Sequence, residues 1–142
     1  MNIYTSYFGN IRKLASAGVT PIGISLGRNK YIQCQYLQYL APKRYMLDDK
    51  WTDEEYIQMY KKDVLSKVNI DVLREDIRAI SKNGTKDVAL LCYEKPTDFC
   101  HRHIFAEWML EQTGYEIKEF GLNKRIILLG NKEPEPIQQA LF

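Results

Sequence analysis

The chain has 142 residues, of which 45% are hydrophobic, and a net charge of +2. This length predicts one domain, because domains usually contain ~100–150 residues, and the near-neutral charge excludes a large basic field that alone would indicate nucleic-acid binding. The chain contains no apolar run near the ~20 residues that cross a membrane, and no secretory signal follows Met1. Its three cysteines are therefore expected to be reduced thiols of a cytoplasmic protein that has no membrane partner.

The first part of the chain predicts two strands around a short helix. Residues 2–8 and 19–25 are rich in β-branched and aromatic residues, which predicts strands, and residues 9–18 predict the helix between them. Residues 26–47 form a long irregular stretch that contains several tyrosines. A loop of this length is usually functional or disordered, and its aromatic content favours an ordered loop.

Two amphipathic helices and a buried strand follow. Residues 52–68 predict a helix that begins with a capping box formed by Thr52 and Glu55. Residues 69–84 carry apolar side chains at helical spacing and predict a second helix. The nearly unbroken apolar run at 86–94 predicts a strand that is buried on both faces of a parallel sheet.

A further helix and one or two strands complete the predicted fold. Residues 97–114 predict the helix, and residues 115–121 and 124–130 predict the final strands. Strands that alternate with helices predict an α/β sandwich with a mainly parallel sheet. We expect this domain to occupy residues 1–130.

A cluster of reactive side chains follows the predicted buried strand. Cys92 and Glu94 lie at its carboxyl end, which is where ligands bind in open α/β sheets. Cys100, His101 and Arg102 fall in the first turn of the next helix. Free N–H groups and a partial positive charge at that turn suit an anion and lower the pKa of a cysteine. We therefore expect Cys100 to be a nucleophile or redox thiol, with Glu94, His101 or His103 as proton carrier.

The same residues also allow interpretations without thiolate chemistry. Arg102 and the free N–H groups can simply hold a phosphate, and Glu94 can form a salt bridge with Arg102. Cys92 can act as a small buried hydrophobic residue, and His103 can pack in the core. The cysteine and histidine spacing matches no common ligand motif, so no metal and no other cofactor is predicted.

The segment LLCYEKPTDFCHRHIFAEWM resembles the signature of the domain of unknown function family 488, in which an apolar strand leads into L-C-x-E, a short turn and C-H-R. The matching positions are Leu91, Cys92, Glu94, Cys100, His101 and Arg102. The segments IYTSYFG and LAPKRYMLDDKWTDEEYIQMY also resemble this family, so the likeness covers residues 2–120. The resemblance implies a single Rossmann-like three-layer domain.

The end of the second predicted strand departs from this family. Many members carry Asp-Val-Arg there, which the resemblance implies is part of the pocket, whereas this chain has Gly-Ile-Ser at 23–25 followed by Leu-Gly-Arg at 26–28. We expect Ser25 to supply a hydroxyl, Arg28 to supply the guanidinium, and Tyr4 to be a further substrate contact. Chemistry that needs the missing aspartate is not expected here.

Residues 131–142, NKEPEPIQQALF, form a C-terminal tail of different composition. The Glu-Pro repeat predicts an extended chain. The final QQALF resembles the short peptide that binds the bacterial sliding clamp, in which Leu141 and Phe142 would fill an apolar pocket and Gln138 would set the orientation. Alternatively, these apolar residues cover the core of the protein itself.

Two functional hypotheses follow, and we prefer the first. In the first, the protein is a small enzyme of DNA repair or modification that acts on a nucleotide, a nucleic acid or another phosphorylated compound, with Cys100 reacting and with Arg102 and Arg28 holding the anion. In the second, it is a non-catalytic module that binds nucleic acid or a nucleotide and is recruited to DNA through its clamp-binding-like tail. Tyrosines and basic residues of 28–45 would then stack on bases and neutralise phosphates.

Overall fold

The computed structural model describes residues 1–96, 98–122 and 124–128. The strands of this part of the chain are β1 (Ile3–Tyr7), β2 (Thr20–Gly23), β3 (Gln35–Tyr36), β4 (Val88–Cys92) and β5 (Lys118–Glu119). The α-helices are α1 (Ile11–Ser16), α2 (Asp53–Asp63), α3 (Ile70–Ile80) and α4 (His101–Thr113). The five strands described form one all-parallel sheet in the order β3-β2-β4-β1-β5. The predicted α/β class with a parallel sheet is thereby confirmed.

Strand β4 is the centre of the sheet and positions the candidate site. All five of its residues are buried, as the apolar run predicts, and it pairs with β2 on one side and β1 on the other. Its register with β1 ends at the pair of Tyr7 and Cys92. Because the strands are parallel, the residues that follow β1, β2 and β4 emerge at the same edge of the sheet.

Helices cover both faces of the sheet and make three layers. On one face, α2, α3 and α4 enclose the larger core, in which Leu90 of β4 packs with Phe105 and Leu73. On the other face, Leu14 of α1 packs against Leu91. The fold is therefore Rossmann-like, as the resemblance implies.

Short-range signals account for several helix ends. Thr52 and Glu55 form the predicted capping box at the start of α2, and the side chain of Asn69 accepts hydrogen bonds from the first turn of α3. Gly114 ends α4 in the left-handed conformation with φ of 75°, which glycine adopts without steric cost.

The structure corrects three details of the sequence prediction. Helix α4 begins at His101 with Cys100 at the N-cap position, later than the predicted start. Residues 124–128, the described part of the last predicted strand, form no strand. The long loop contains the short strand β3, and Tyr60 holds this loop by donating a 2.6 Å hydrogen bond to the carbonyl of Leu40.

Two further sequence predictions concern a membrane-spanning helix and the C-terminal tail. No α-helix within the described ranges is both long and apolar enough to cross a membrane. The predicted tail at 131–142 lies outside the described residues.

Candidate functional site

A cavity of about 520 Å³ opens at the carboxyl ends of β2 and β4. Ser25 comes from the segment after β2, Glu94 from the segment after β4, and Cys100 from the N-terminus of α4. Tyr56 and Phe99 form an aromatic wall in which their rings meet edge to face at 5.3 Å. The cavity thus occupies the position at which α/β sheets bind ligands.

Two cysteines meet at this cavity. Cys92, the last residue of β4, and Cys100, at the N-cap of α4, both line it, and the structure joins them as a disulfide. Cys34 is free and half-buried. The structure thus brings two of the three cysteines together, and Cys92 is both a buried residue of β4 and part of the cavity lining. Reduction by two electrons would leave two adjacent thiols at the cavity.

Arg102 is fully buried beneath this pair. Its Nε and Nη2 atoms donate to the two carboxylate oxygens of Glu119 at 3.1 and 3.0 Å. Its Nη1 atom donates to the backbone carbonyl of Glu94 at 2.6 Å and to Sγ of Cys92 at 2.9 Å. Arg102 is therefore enclosed and paired with Glu119, and the expected role as an anion ligand does not fit this placement. Among the described residues, Arg102 forms its salt bridge with Glu119 and none with the Glu94 carboxylate, which was the alternative expectation.

Glu119 is a component of the site that the sequence analysis missed. It is fully buried in β5 and also accepts a 2.7 Å hydrogen bond from Oγ1 of Thr5, its register partner on β1. Thr5 and Glu119 are separated by 114 positions, so no local pattern connects them. The sequence offered one weak signal, a glutamate that shares the alternating face of the predicted strand with Tyr115 and Ile117.

His101 is buried and positions Cys100. Its Nε2 atom lies 2.8 Å from the backbone carbonyl of Ile24, and its Nδ1 atom lies 3.7 Å from Sγ of Cys100. Since a carbonyl only accepts, Nε2 carries the proton, and Nδ1 is free to accept one from a Cys100 thiol. Burial, assisted by the charge of Arg102, lowers the pKa of His101 to about 4. His101 is therefore neutral at pH 7. A base with so low a pKa removes the proton of the Cys100 thiol poorly, so His101 suits orienting this thiol.

Glu94 and Tyr56 bring an acidic side chain and a phenol hydroxyl to the cavity. Glu94 is exposed and lines the mouth. Burial and the negative charge of Glu94 raise the pKa of Tyr56, so the Tyr56 hydroxyl stays protonated near neutral pH. The cavity lining thus combines the side chain of Glu94 with a hydroxyl that can donate hydrogen bonds.

The remaining predicted residues differ in placement. Ser25 lines the cavity, although its hydroxyl donates to a backbone carbonyl at 2.7 Å. Arg28 is exposed, and its guanidinium carbon lies 4.6 Å from the ring centre of Tyr36, outside the cavity lining. Tyr4 packs edge to face on Phe120 at 5.3 Å, also outside the lining. The structure thus brings Ser25 to the reactive side chains, and it leaves Arg28 and Tyr4 outside the cavity.

His103, which the sequence left open between packing and function, is buried in α4. Neither of its ring nitrogens has a hydrogen-bond partner within the part of the chain that the structure describes. Burial and the nearby charges of Arg102 and His101 lower its pKa to about 3. His103 therefore fits core packing.

A family model described as the active DUF488-N3 subclade, DUF488-N3a, matches residues 12–113. The chain belongs to the DUF488 family. The matched range contains the whole Cys92–Arg102 segment and ends with α4, whereas Glu119 lies beyond it. No curated protein and no solved structure matches this chain.

The DUF488 cysteine pair also has the composition of a metal site. Cys92, Cys100 and His101 each place one suitable ligand atom within 4.8 Å of the others, and these atom types suit Zn²⁺. However, Nη1 of Arg102 already contacts Sγ of Cys92 at 2.9 Å, and this positive charge disfavours a second cation beside the same sulfur. The absence of a metal stays a prediction.

The charges of this DUF488 cavity do not suit a phosphate inside it. Asp49 and Glu94 are part of the lining, and no lysine or arginine of the described residues is. Exposed basic side chains instead occur at Arg28, Lys43 and Lys95, each directly after a lining residue in the chain. An uncharged ring therefore suits the interior, and anionic groups suit the surface around it.

Proposed function

We propose that this DUF488 protein is a thiol-dependent enzyme that acts on the base of a nucleotide or nucleic acid. The observation that carries the proposal is the cysteine pair at the inner end of the cavity, where the Arg102 guanidinium contacts Sγ of Cys92 at 2.9 Å. The description of the matched subclade as active supports a catalytic role over a purely binding one. The cytoplasm expected from the sequence would keep the pair reduced.

In the working form, the two cysteines are thiols. The disulfide becomes a dithiol when two molecules of a small thiol reductant donate two electrons and two protons and leave as their own disulfide. The two adjacent sulfurs then share a proton, because Arg102 stabilises a negative charge on Cys92 and the N-terminus of α4 stabilises one on Cys100. Cys100 reacts when the shared proton lies on Cys92.

Cys100 attacks an electrophilic ring carbon of the bound base. The electron pair of the thiolate forms the carbon–sulfur bond, and the displaced π pair moves to another ring atom. That atom takes up, through Glu94, the proton that the thiol pair released when the thiolate formed, so that the step adds one thiol across one double bond. Tyr56 donates a hydrogen bond to the substrate. His101 holds the Cys100 sulfur through the contact of 3.7 Å.

The shape and charge of the cavity support a base as the reacting part. Its volume of about 520 Å³ lies within the usual ~300–1,000 Å³ of small-molecule sites. The aromatic wall of Tyr56 and Phe99 suits stacking, while the acidic side chains repel phosphate. Phosphates would instead lie outside, near Arg28 and Lys43.

Thiol reactivity tests this proposal directly. The reduced protein is alkylated with iodoacetamide between about pH 5 and 9, and the modification of each cysteine is followed by mass spectrometry. We expect Cys100 to react with an apparent pKa below the ~8.5 of a free thiol, and nucleosides to slow this reaction. Cys34 is the internal control, because burial raises the pKa of its thiol, and a Cys34→Ser variant should leave the Cys100 rate unchanged.

Any of four results would overturn the proposal. Cys100 could be inert or titrate as an ordinary thiol, or Cys92 alone could be modified. Stoichiometric zinc in the purified protein, with alkylation of both cysteines only after chelation, would identify a metal site instead.

Recruitment to DNA by the tail remains part of the proposed cellular role. Gln138, Leu141 and Phe142 lie outside the described residues, so their clamp-binding role rests on the sequence. Binding of the full chain to a purified bacterial sliding clamp should be lost when residues 138–142 are deleted, and an undiminished affinity would exclude this role.

A further inference from the structure

We infer that the surface around the cavity mouth, formed by residues 26–51 together with Tyr93, binds single-stranded nucleic acid and so presents one base to the cavity. We call it the mouth surface. This inference rests on the proposed function and names its substrate as a polymer rather than a free nucleotide.

The mouth surface exposes aromatic rings that the protein does not use for its core. Tyr31 is 84% exposed, Tyr45 46% and Tyr39 41%, all within one segment. Tyr93 is 50% exposed, lines the cavity directly after Cys92, and packs on Phe8 at 4.8 Å between ring centres. Exposed tyrosine rings provide the platforms on which unpaired bases stack.

The same segment concentrates positive charge. Residues 26–51 contain five basic and two acidic residues, a net charge of +3, whereas the whole chain carries +2. The five basic side chains are all exposed: Arg28, Lys30, Lys43, Arg44 and Lys50. Within the described ranges of the chain none of them is ion-paired to a carboxylate, so they are available to phosphates.

Cations and rings of the mouth surface lie next to each other. Arg28 lies over the ring of Tyr36 at 4.6 Å, and Lys30 lies over that of Tyr31 at 5.1 Å. Lys50 lies over Trp51 at 4.7 Å. In a strand of nucleic acid, each base lies close to a phosphate. Neighbouring rings and cations complement it, because the rings can stack on the bases and the cations can neutralise the phosphates.

The mouth surface is continuous with the cavity and is held in place. Residues 26, 27, 42, 46, 47 and 49 of this segment line the cavity. The side-chain amide of Gln38 donates to the carbonyls of Ser25 and Leu26 at 3.1 and 3.0 Å, and Nε1 of Trp51 donates to the carbonyl of Tyr45 at 2.8 Å. A bound strand would therefore meet a preformed surface that leads into the cavity.

These features favour a single strand over a duplex. Stacking on tyrosine needs bases that are not paired within a helix, and an enzyme reaches an atom of a base only when that base is outside the stack. The cavity excludes phosphate by charge and accepts a ring, while the mouth surface attracts the phosphates on either side.

Fluorescence anisotropy with labelled oligonucleotides of about 12 nucleotides tests the inference on the full chain. We expect oligo(dT) or oligo(U) to bind, a duplex of equal length to bind more weakly, and the affinity to fall as salt increases. The double variant Lys43→Ala/Arg44→Ala and the variant Tyr31→Ala should each weaken binding at least about fivefold.

Matched variants separate the mouth surface from general charge and folding effects. Lys62→Ala/Lys86→Ala removes the same charge from exposed positions on α2 and before β4, and it should bind like the wild type. Tyr31→Phe keeps the ring and should also bind normally. Equal weakening by both double variants, or equal affinity for strand and duplex, would overturn the inference.

The two proposals fail in different ways. Cys100→Ser should keep oligonucleotide binding while it loses the reactive thiol. If nucleosides protect Cys100 from alkylation but no oligonucleotide binds, the mouth-surface inference is wrong and the proposed enzyme stands. If oligonucleotides bind while Cys100 titrates as an ordinary thiol, the enzyme proposal is wrong and the mouth surface stands.

Discussion

The two ends of the cavity are built from opposite kinds of contact. Beneath the inner end, behind the residues that line the cavity, Arg102 and Glu119 are 0% exposed and joined by two hydrogen bonds. At the mouth, Tyr31 is 84% exposed and the basic side chains are free of carboxylate partners within the described ranges. Both ends are polar, but the polar groups at the inner end bond to the protein and those at the mouth face solvent.

The two sets of polar groups should affect different properties of the protein, namely its stability and its binding of a ligand. A buried charge that loses its partner is left without water or counter-charge, which is strongly unfavourable. An exposed charge loses little when it is removed, because water already screens it. Substitutions at the inner end should therefore act on the free energy of unfolding, whereas substitutions at the mouth should act on binding.

The largest effect is expected from the buried ion pair. Glu119→Ala leaves the Arg102 guanidinium without its carboxylate and should lower the free energy of unfolding by about 3–5 kcal/mol, measured by urea denaturation of the reduced protein. Glu111→Ala, at an exposed position of α4, is the matched control and should change it by less than about 0.5 kcal/mol. A loss below about 1 kcal/mol for Glu119→Ala would contradict the structural importance of this pair.

The buried histidines predict a pH dependence of stability. Burial holds the pKa of His101 at about 4 and that of His103 at about 3, below the ~6.5 of an unfolded histidine. Between these values the unfolded chain binds more protons, so stability is fully present above about pH 6.5 and falls as the pH decreases toward 4. Each histidine should contribute up to about 1.4 kcal/mol per pH unit in this window.

Urea denaturation between about pH 4 and 7.5 measures this slope. His103→Gln should reduce the change of the free energy of unfolding with pH by the contribution of one histidine, because glutamine does not titrate. The same slope in wild type and variant would show that His103 is not held neutral by burial.

A smaller effect is expected where the long loop joins the helical layer. Tyr60→Phe removes the hydroxyl that bonds to the carbonyl of Leu40 at 2.6 Å and should cost about 1–2 kcal/mol. The exposed hydroxyl of Tyr39, which donates to Asp76 at 2.7 Å, offers the control. Tyr39→Phe should cost less than about 0.5 kcal/mol in the same unfolding measurement, and equal costs would argue against a buried anchor at Tyr60.

The smallest effect on stability is expected at the mouth. Lys43→Ala/Arg44→Ala should change the free energy of unfolding by no more than about 0.5 kcal/mol, even though the inferred nucleic-acid binding should fall severalfold. Thermal unfolding and anisotropy on the same samples compare the two quantities. A large loss of stability would mean that the mouth surface is also part of the folded core.

Local patterns in the sequence predict much of the fold. The apolar run identifies β4 as a buried strand, Thr52 and Glu55 mark the start of α2, and Gly114 marks the end of α4. These signals depend on contacts within a few residues, so they can be read along the chain. The short strand β3 was not predicted, because its pairing with β2 involves two residues and leaves almost no periodic pattern.

The candidate site divides in the same way. The sequence alone determined that Cys92, Glu94, Cys100 and His101 lie together, because parallel strands place their carboxyl ends at one edge and the next helix begins there. Only the tertiary structure decided that the two sulfur atoms meet and that Arg102 turns inward. Glu119 draws it there across 17 positions, and such a pairing depends on the neighbours of strands in the sheet rather than on neighbours in the chain.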